Sequence, residues 1–295
     1  MVPSRRLSPS AYQRVTLVAV ASLAVIVVTG ATVRLTGSGL GCTDWPACTR
    51  GHLAPSEIDG APALIEFLNR LVTGIVSAAV IVAVHGSVIR QPRRRDLTLL
   101  SWGLVAGVLA QIVLGGMVVL FDLSPRLVMG HFLLSMVIVW NAVVLHHRAA
   151  RPEGAAVPVV SEHVRSLIRL LFGAAALVVL TGTVVTASGP HAGDDQAQRL
   201  DFVVRDVARV HSGAVLVLLA LLLVVLRWLW NERAPAPVRD AAAVLLVAVV
   251  AQGAVGYTQY FTGVPALLVG VHIVGALAVW IAVTRLQLVC TEVPT

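Results

Sequence analysis

QIVLGGMVVLFDLSPRLVMGH (residues 111–131) and QGAVGYTQYFTGVPALLVGVH (residues 252–272) share a polar pattern on an apolar background. Each stretch begins with a glutamine, has a glycine four positions later and ends with a histidine twenty positions after the glutamine. Two earlier segments, TGATVRLTGSG at 29–39 and LTGTVVTASG at 180–189, match in the same order. Long-period self-similarity is typical of a duplicated architecture, so we predict two related halves.

The composition is that of a membrane protein. Of the 295 residues, 57% are hydrophobic and 13% are charged, and the mean hydropathy is +0.87. Several apolar runs are about 20 residues long, the length that a helix needs to cross a bilayer. All 22 basic residues are arginines, and no basic face is interleaved with aromatic residues, which argues against a nucleic-acid partner. Because lipid cannot satisfy exposed backbone groups, we expect an all-α polytopic protein in the lipid bilayer.

Eight transmembrane helices fit the apolar runs. We predict them at 14–34, 63–89, 97–121, 127–147, 166–188, 203–229, 239–261 and 266–288. The polar segment HHRAARPEGAAVPVVSEH divides them into two tandem four-helix bundles. We expect an N-terminal bundle over 1–150 with a long outer loop at 35–62, a cytoplasmic linker at 151–165 and a C-terminal bundle over 166–295. Each half has an even number of spans, so the copies share an orientation.

Arginine placement predicts that orientation. The side that holds the N-terminus carries Arg5, Arg6, Arg14, Arg90, Arg93, Arg94, Arg95, Arg148, Arg151, Arg165, Arg169, Arg227, Arg233, Arg239 and Arg285. The opposite side carries only Arg34, Arg50, Arg126, Arg199 and Arg205. Basic loops stay in the cytoplasm, so we expect a bacterial cell membrane protein with both termini inside.

Three histidines are predicted to lie at a similar depth, about one to two turns below the outer ends of their spans. They are His131, His211 and His272. His211 and His272 are 61 residues apart, and a step of 62 residues back from His131 reaches Asn69. Two neutral imidazoles that face each other across a bundle suit haem iron, whereas zinc needs further ligands. Core histidines bonded to the backbone are the alternative.

Two arginines, Arg70 and Arg209, are close in sequence to Asn69 and His211 and are expected near the depth of the three histidines. Glu66, Asn69 and Arg70 lie at i, i+3 and i+4 and so share one face of a helix. Arg70 and Arg209 could pair with haem propionates or extend to the membrane surface.

Two of the three cysteines lie in the outer loop. Cys42 and Cys48 face the oxidising side, where they can form a structural disulfide or a redox-active pair. Cys290, near the cytoplasmic end, is expected to be a free thiol.

The loop motif RLTGSGLGCTDWPAC, the helix motif IEFLNR and the three histidines together resemble the haem A synthase family, over nearly the whole chain. The resemblance implies that His211 and His272 bind the iron of a haem B cofactor in the C-terminal half. It implies that His131 binds the iron of the substrate, haem O, in the N-terminal half. Glu66 matches a functionally important carboxylate of the family, and Cys42 and Cys48 match its outer-loop cysteine pair.

The implied reaction oxidises a methyl group of haem O to a formyl group by successive hydroxylation and loss of water, for cytochrome oxidase biogenesis. It requires a redox electron donor, which the sequence does not identify. The resemblance also implies cooperation with a haem O synthase, a prenyltransferase.

One position departs from the family's pattern, which is Glu-x-x-His-Arg. This chain has Asn69 at the histidine position. An amide is a poor iron ligand, so we hypothesise five-coordinate iron held by His131, with Asn69 lining the open side. Glu66 is then predicted to act as a general acid or base, or only to hold Arg70 in place.

Other functions fit parts of the pattern. A bis-histidine b-type cytochrome would explain the buried histidines, and a haem-carrying assembly factor would need no chemistry. A transporter with repeated halves would need polar breaks near the bilayer midplane, whereas the polar set here is expected near the outer side.

Overall fold

The structure is a computed structural model that describes residues 6–49, 51–56 and 59–293. Within these ranges it contains eight long helices: α1 (Pro9–Leu35), α2 (Gly60–Ile89), α3 (Arg95–Leu120), α4 (Pro125–Ala149), α5 (Glu162–Ser188), α6 (Val204–Asn231), α7 (Ala236–Phe261) and α8 (Ala266–Leu288). All eight are long and apolar enough to cross a membrane. The prediction of an all-α, multi-pass membrane protein is confirmed. Arg5 and Arg50, which enter the predicted arginine distribution, lie outside the described residues.

Several helices begin earlier than the apolar runs predicted, because their first turns are polar. Ser8 precedes α1, and its hydroxyl accepts a hydrogen bond from the Ala11 amide at 3.2 Å. Ser161 caps α5 in the same way, through the Val164 amide at 3.2 Å. Such caps satisfy amides that have no partner within the helix.

A short strand pair, which the sequence did not predict, joins the linker to the end of the chain. Strand β1 (Val157–Pro158) pairs antiparallel with β2 (Thr291–Glu292). Arg151 Nη1 donates to the Thr291 carbonyl oxygen at 2.6 Å, beside this pair. The linker is therefore fastened to the C-terminal segment.

The helices form two closed rings of four. In the first half α1 contacts α2, α2 contacts α3, α3 contacts α4 and α4 contacts α1; α5 to α8 repeat this order in the second half. The halves meet through α4 with α8, α1 with α8, and α4 with α5. If α5 corresponds to α1 and α8 to α4, the last two contacts are equivalent, as expected for parallel repeats about an axis along the membrane normal.

The packed core lies toward one end of the rings. We call the side where α1, α3, α5 and α7 end the loop side, and the opposite side the termini side. The first buried residue of α6, which starts on the loop side, is Leu218, and the last buried residue of α7 is Val249. In α6 and α7 the buried residues therefore lie toward the termini side.

Candidate functional site

Four corresponding side chains lie on inward-facing stripes of α2, α4, α6 and α8. They are Asn69, His131, His211 and His272. On each helix, the residues seven, eleven and fourteen positions further along are buried: Val76, Val80 and Ala83; Ile138, Ala142 and Leu145; Leu218, Leu222 and Val225; and Val279, Val283 and Leu286. Residues at these intervals share one helix face, so all four side chains are aligned with the core rather than with lipid.

Two of these histidines have matching contacts with the preceding helix. Gln111 Nε2 donates to the His131 carbonyl oxygen at 2.9 Å, and Gln252 Nε2 donates to the His272 carbonyl oxygen at 2.6 Å. A Cβ added at Gly115 would lie 3.3 Å from His131 Cε1, and one at Gly256 would lie 2.9 Å from His272 Cε1. The repeated sequence pattern thus corresponds to a repeated contact, in which glycine admits the imidazole ring.

The remaining two positions match in their hydrogen bonds but not in size. Thr29 Oγ1 donates to Asn69 Oδ1 at 2.8 Å, and Thr181 Oγ1 lies 3.0 Å from His211 Nδ1. Gly182, next to Thr181, packs against the ring, since a Cβ there would lie 3.1 Å from His211 Cε1. At the corresponding Gly30, no atom of the described residues outside its own helix backbone lies within 4 Å of an added Cβ. The first half therefore keeps the threonine and the glycine but has a shorter side chain over them.

The three histidines differ in the hydrogen bonding of Nδ1, and only His211 has a partner there that leaves Nε2 for a metal. Nδ1 of His131 and of His272 is buried and has no hydrogen-bond partner among the described residues, although each ring as a whole is half-buried. Thr181 Oγ1 can donate its hydrogen to the Leu177 carbonyl oxygen at 2.9 Å, so that it accepts from His211 Nδ1. A protonated Nδ1 leaves Nε2 as the metal-binding nitrogen.

The second half fits a group that needs two axial histidines. His211 and His272 lie on α6 and α8, which are opposite members of the ring. These residues fit a haem, whose iron takes axial histidines.

Glu66 is buried and engaged through both of its carboxylate oxygens. Oε2 accepts from the Cys42 amide at 2.8 Å, and Oε1 accepts from Arg70 Nη2 at 2.5 Å. Arg70 Nη1 donates onward to the Ala47 carbonyl oxygen at 2.8 Å. The pair therefore ties α2 to the loop that precedes it. This arrangement corresponds to the alternative in which Glu66 holds Arg70; the acid or base role stays a prediction.

The loop before α2 covers the first half on its loop side. Cys42 and Cys48 form a disulfide, which confirms the predicted pairing. Trp45 lies between them; the Arg70 guanidinium is 5.3 Å from the centre of its ring. A Cβ at Gly116 would lie 2.5 Å from Trp45 Nε1, so the indole reaches α3 one residue away from Gly115. Sequence reasoning gave no role to Trp45 or Gly116, because nothing local in α3 indicates an aromatic neighbour from the loop.

The two predicted propionate partners have different positions. Arg70 is used by the loop contacts described above. Arg209 is largely exposed, and its Nη1 lies 3.6 Å from Asp206 Oδ1 on the surface of α6. The structure thus brings Arg70, but not Arg209, into the polar cluster around Glu66.

A second loop joins the halves on the same side. Arg34 was expected to be an outer-loop charge, but its Nη2 donates to the Thr186 carbonyl oxygen at 2.8 Å and its Nε to the His191 carbonyl oxygen at 2.5 Å. His191 Nε2 in turn lies 2.8 Å from the Val264 carbonyl oxygen. The end of α1 is therefore fixed to the second half.

Comparisons with known proteins give a consistent group of relatives. The family model described as COX15-CtaA, cytochrome oxidase assembly protein, matches residues 13–193. A heme A synthase of Lysinibacillus sphaericus is 35% identical over 120 residues, which cover 40% of this chain and 38% of that protein. One of Exiguobacterium sibiricum is 27% identical over 57% of each chain. One of Shouchella clausii is 28% identical over 84% of this chain and 86% of that protein. The chain thus spans less than two thirds of the first two relatives and most of the third.

Proposed function

This chain belongs to the COX15-CtaA family of cytochrome oxidase assembly proteins, and on that premise we propose that it is a haem A synthase. The proposed reaction oxidises a methyl group of haem O to a formyl group by successive hydroxylation followed by loss of water. The observation that carries the proposal is a repeated pair of inward-facing positions on opposite helices of each ring. The first ring has His131 on α4 and Asn69 on α2, and the second has His272 on α8 and His211 on α6.

The second half is the proposed site of a resident haem B. His211 and His272 would hold its iron, and the hydrogen bond from His211 Nδ1 to Thr181 Oγ1 would fix the orientation of the His211 ring. A bound haem B would supply electron transfer. The chain's own contribution is to hold both imidazoles in fixed positions through the packing at Gly182 and Gly256.

The first half is the proposed site of the substrate, haem O, held through His131. The disulfide-bonded loop covers this half, and its Trp45 packs against Gly116, next to the glycine that admits the His131 ring. A loop that covers a site can help to exclude water from the reaction.

Glu66 is the proposed general acid or base for the dehydration step. A carboxyl group can deliver a proton to a departing hydroxyl or remove one from a diol. The contacts from Cys42 and Arg70 hold this carboxylate at the junction of the loop and α2. We propose that the same contacts keep it oriented toward the substrate half, so Glu66 would be both an anchor and a proton carrier.

The proposed setting is the bacterial cell membrane with both termini in the cytoplasm, as the distribution of arginines predicts. The loop side and both haem levels would then be near the outer surface. Haem O would come from a membrane prenyltransferase, and the electrons would come from a separate redox donor.

The test is expression in a host that makes haem O but no haem A, followed by extraction and chromatography of the haems. We expect haem A from the wild type and none from His131→Ala, while His85→Ala, at an exposed histidine away from the site, should match the wild type. Bound haem without any haem A in the wild type would contradict the proposal. That result would instead support a bis-histidine cytochrome or a haem-carrying assembly factor.

A further inference from the structure

The two halves differ at one of the two side chains that face across each ring. Asn69 occupies in α2 the position that His211 occupies in α6. Both lie on the buried stripe of their helix, and both are bonded to a threonine of the preceding helix, at 2.8 Å and 3.0 Å. The correspondence is therefore one of place and hydrogen bonding, and the chemical difference is amide against imidazole.

From this difference we propose that the first half holds haem iron through His131 alone, with the position beside Asn69 open to a small exchangeable ligand. The second half closes both positions with histidine. This inference rests on the proposed function, which supplies the two haems. It goes further by identifying the haem of the first half as the one whose iron can bind an added ligand.

The amide is a poor competitor for iron for two reasons. A neutral carboxamide lacks the basic nitrogen lone pair with which imidazole binds haem iron. In addition, Asn69 Oδ1 already accepts the hydroxyl hydrogen of Thr29. The threonine thus keeps the amide oxygen engaged in the hydrogen bond.

The space around Asn69 indicates that the shorter side chain leaves room. In the second half, the His211 ring fills the region above Gly182, whose added Cβ would lie 3.1 Å from Cε1. In the first half, the region above Gly30 is free of described side chains within 4 Å of an added Cβ. The glycine that would admit an imidazole is present, but the imidazole is not. Position 30 therefore does not itself obstruct a histidine at position 69.

Open and closed coordination suit different tasks. An iron with one protein ligand can bind and exchange a diatomic molecule, whereas an iron with two histidines resists ligands and transfers electrons. Polar groups beside the open position influence what binds there. This difference between the repeats, asparagine at position 69 and histidine at position 211, would thus make the first haem reactive and the second an electron carrier.

The test uses purified full-length protein reconstituted with haem B as the probe, reduced with dithionite and exposed to carbon monoxide. In the wild type we expect roughly half of the bound haem to give a carbon monoxide difference spectrum, since only the first half has an open position. Asn69→His should lose this signal and gain the spectrum of a low-spin, bis-histidine haem. His211→Asn should do the reverse and make the second haem reactive as well. His85→Asn applies the same chemical change to an exposed histidine and should behave as the wild type.

Asn69→Ala provides a second variant if Asn69→His folds poorly, and it should keep the carbon monoxide signal. The inference is overturned if wild-type protein with both sites loaded binds no carbon monoxide, or if Asn69→His leaves the signal unchanged. It is also overturned if His131→Ala keeps the reactive haem. If the protein produces haem A but fails these spectral tests, the ligation proposal is overturned and the proposed function stands. If it passes the spectral tests but produces no haem A, the proposed function is overturned and the ligation proposal stands.

Discussion

The loop sides of the two halves differ more than their helices do. In the first half, a disulfide closes the loop before α2 on itself, and contacts with Glu66, Arg70 and Gly116 fasten that loop to the bundle. The corresponding loop of the second half, between α5 and α6, is held by a hydrogen bond from Arg34 to the His191 carbonyl oxygen and by the contact of His191 Nε2 with the Val264 carbonyl oxygen. At the places of Glu66 and Arg70, the second half has Ala208 and Ser212.

The duplicated helices keep the features that pack a ring or hold a histidine, which are the threonines, glycines and glutamines described above. The differences are concentrated in one half, where Asn69, Glu66 and the cysteine pair occur together. This contrast supports a division in which the second half keeps a haem tightly and the first half carries out chemistry on another.

The largest effect in this comparison is expected from breaking the ion pair of the first half. Arg70→Ala leaves the buried Glu66 carboxylate without its cation, which costs about 3–5 kcal/mol for pairs of this kind. The matched change Ser212→Ala removes only a hydrogen bond to Tyr257, worth about 1 kcal/mol. Thermal unfolding in detergent and the rate of proteolysis within loop 36–59 measure both. Equal losses of thermal stability and protease resistance in the two variants would contradict the claim that the Glu66–Arg70 ion pair stabilises the loop of the first half.

An intermediate effect is expected from adding one methyl group to each matched glycine. Gly182→Ala forces the His211 ring to move, with an expected cost of about 1–3 kcal/mol and a shifted haem spectrum. Gly30→Ala meets open space and should be neutral or stabilise α1 by up to about 1 kcal/mol. Melting temperature and the optical spectrum of the bound haem report the two variants. Equal changes in melting temperature and haem spectrum for the two variants would contradict the claim that Gly182 packs against a ring whereas Gly30 faces open space.

The smallest effect concerns the free cysteine of the second half. Cys290 is 3% exposed, and burial raises the pKa of its thiol to about 11. Because the thiolate is the reactive form, alkylation at pH 8 should be slow and should accelerate as the pH rises toward that pKa. The loop cysteines should react only after reduction. Peptide mass spectrometry of alkylated protein measures each site, and rapid labelling of Cys290 at pH 8 would contradict its burial.

Much of the architecture could be predicted from the sequence because it depends on local patterns. Apolar run length predicted the eight helices, and the spacing within the two halves predicted that Asn69 and the histidines occupy corresponding positions. The contacts of Glu66 with Cys42 and of Trp45 with Gly116 could not be predicted, because they join segments that are distant in sequence and have no periodic relationship. The strand pair of β1 and β2 was missed for the same reason.

The polar first turns of α1 and α5 explain the errors at helix ends. Hydropathy locates the part of a helix in lipid, whereas the helix itself starts at its capping serine. The partners of Arg34 could not be predicted, because a guanidinium near a helix end usually extends to solvent and its carbonyl partners come from the other half of the chain.

The most direct measurement of the central claim is the haem content of purified, reconstituted wild type, His131→Ala and His272→Ala, by pyridine haemochrome assay and electron paramagnetic resonance. The account predicts one haem in each half: His131→Ala loses the haem that binds carbon monoxide, and His272→Ala loses the low-spin haem. If both variants keep the full haem content, or if both lose the same spectral species, a division into two separate haem sites is contradicted.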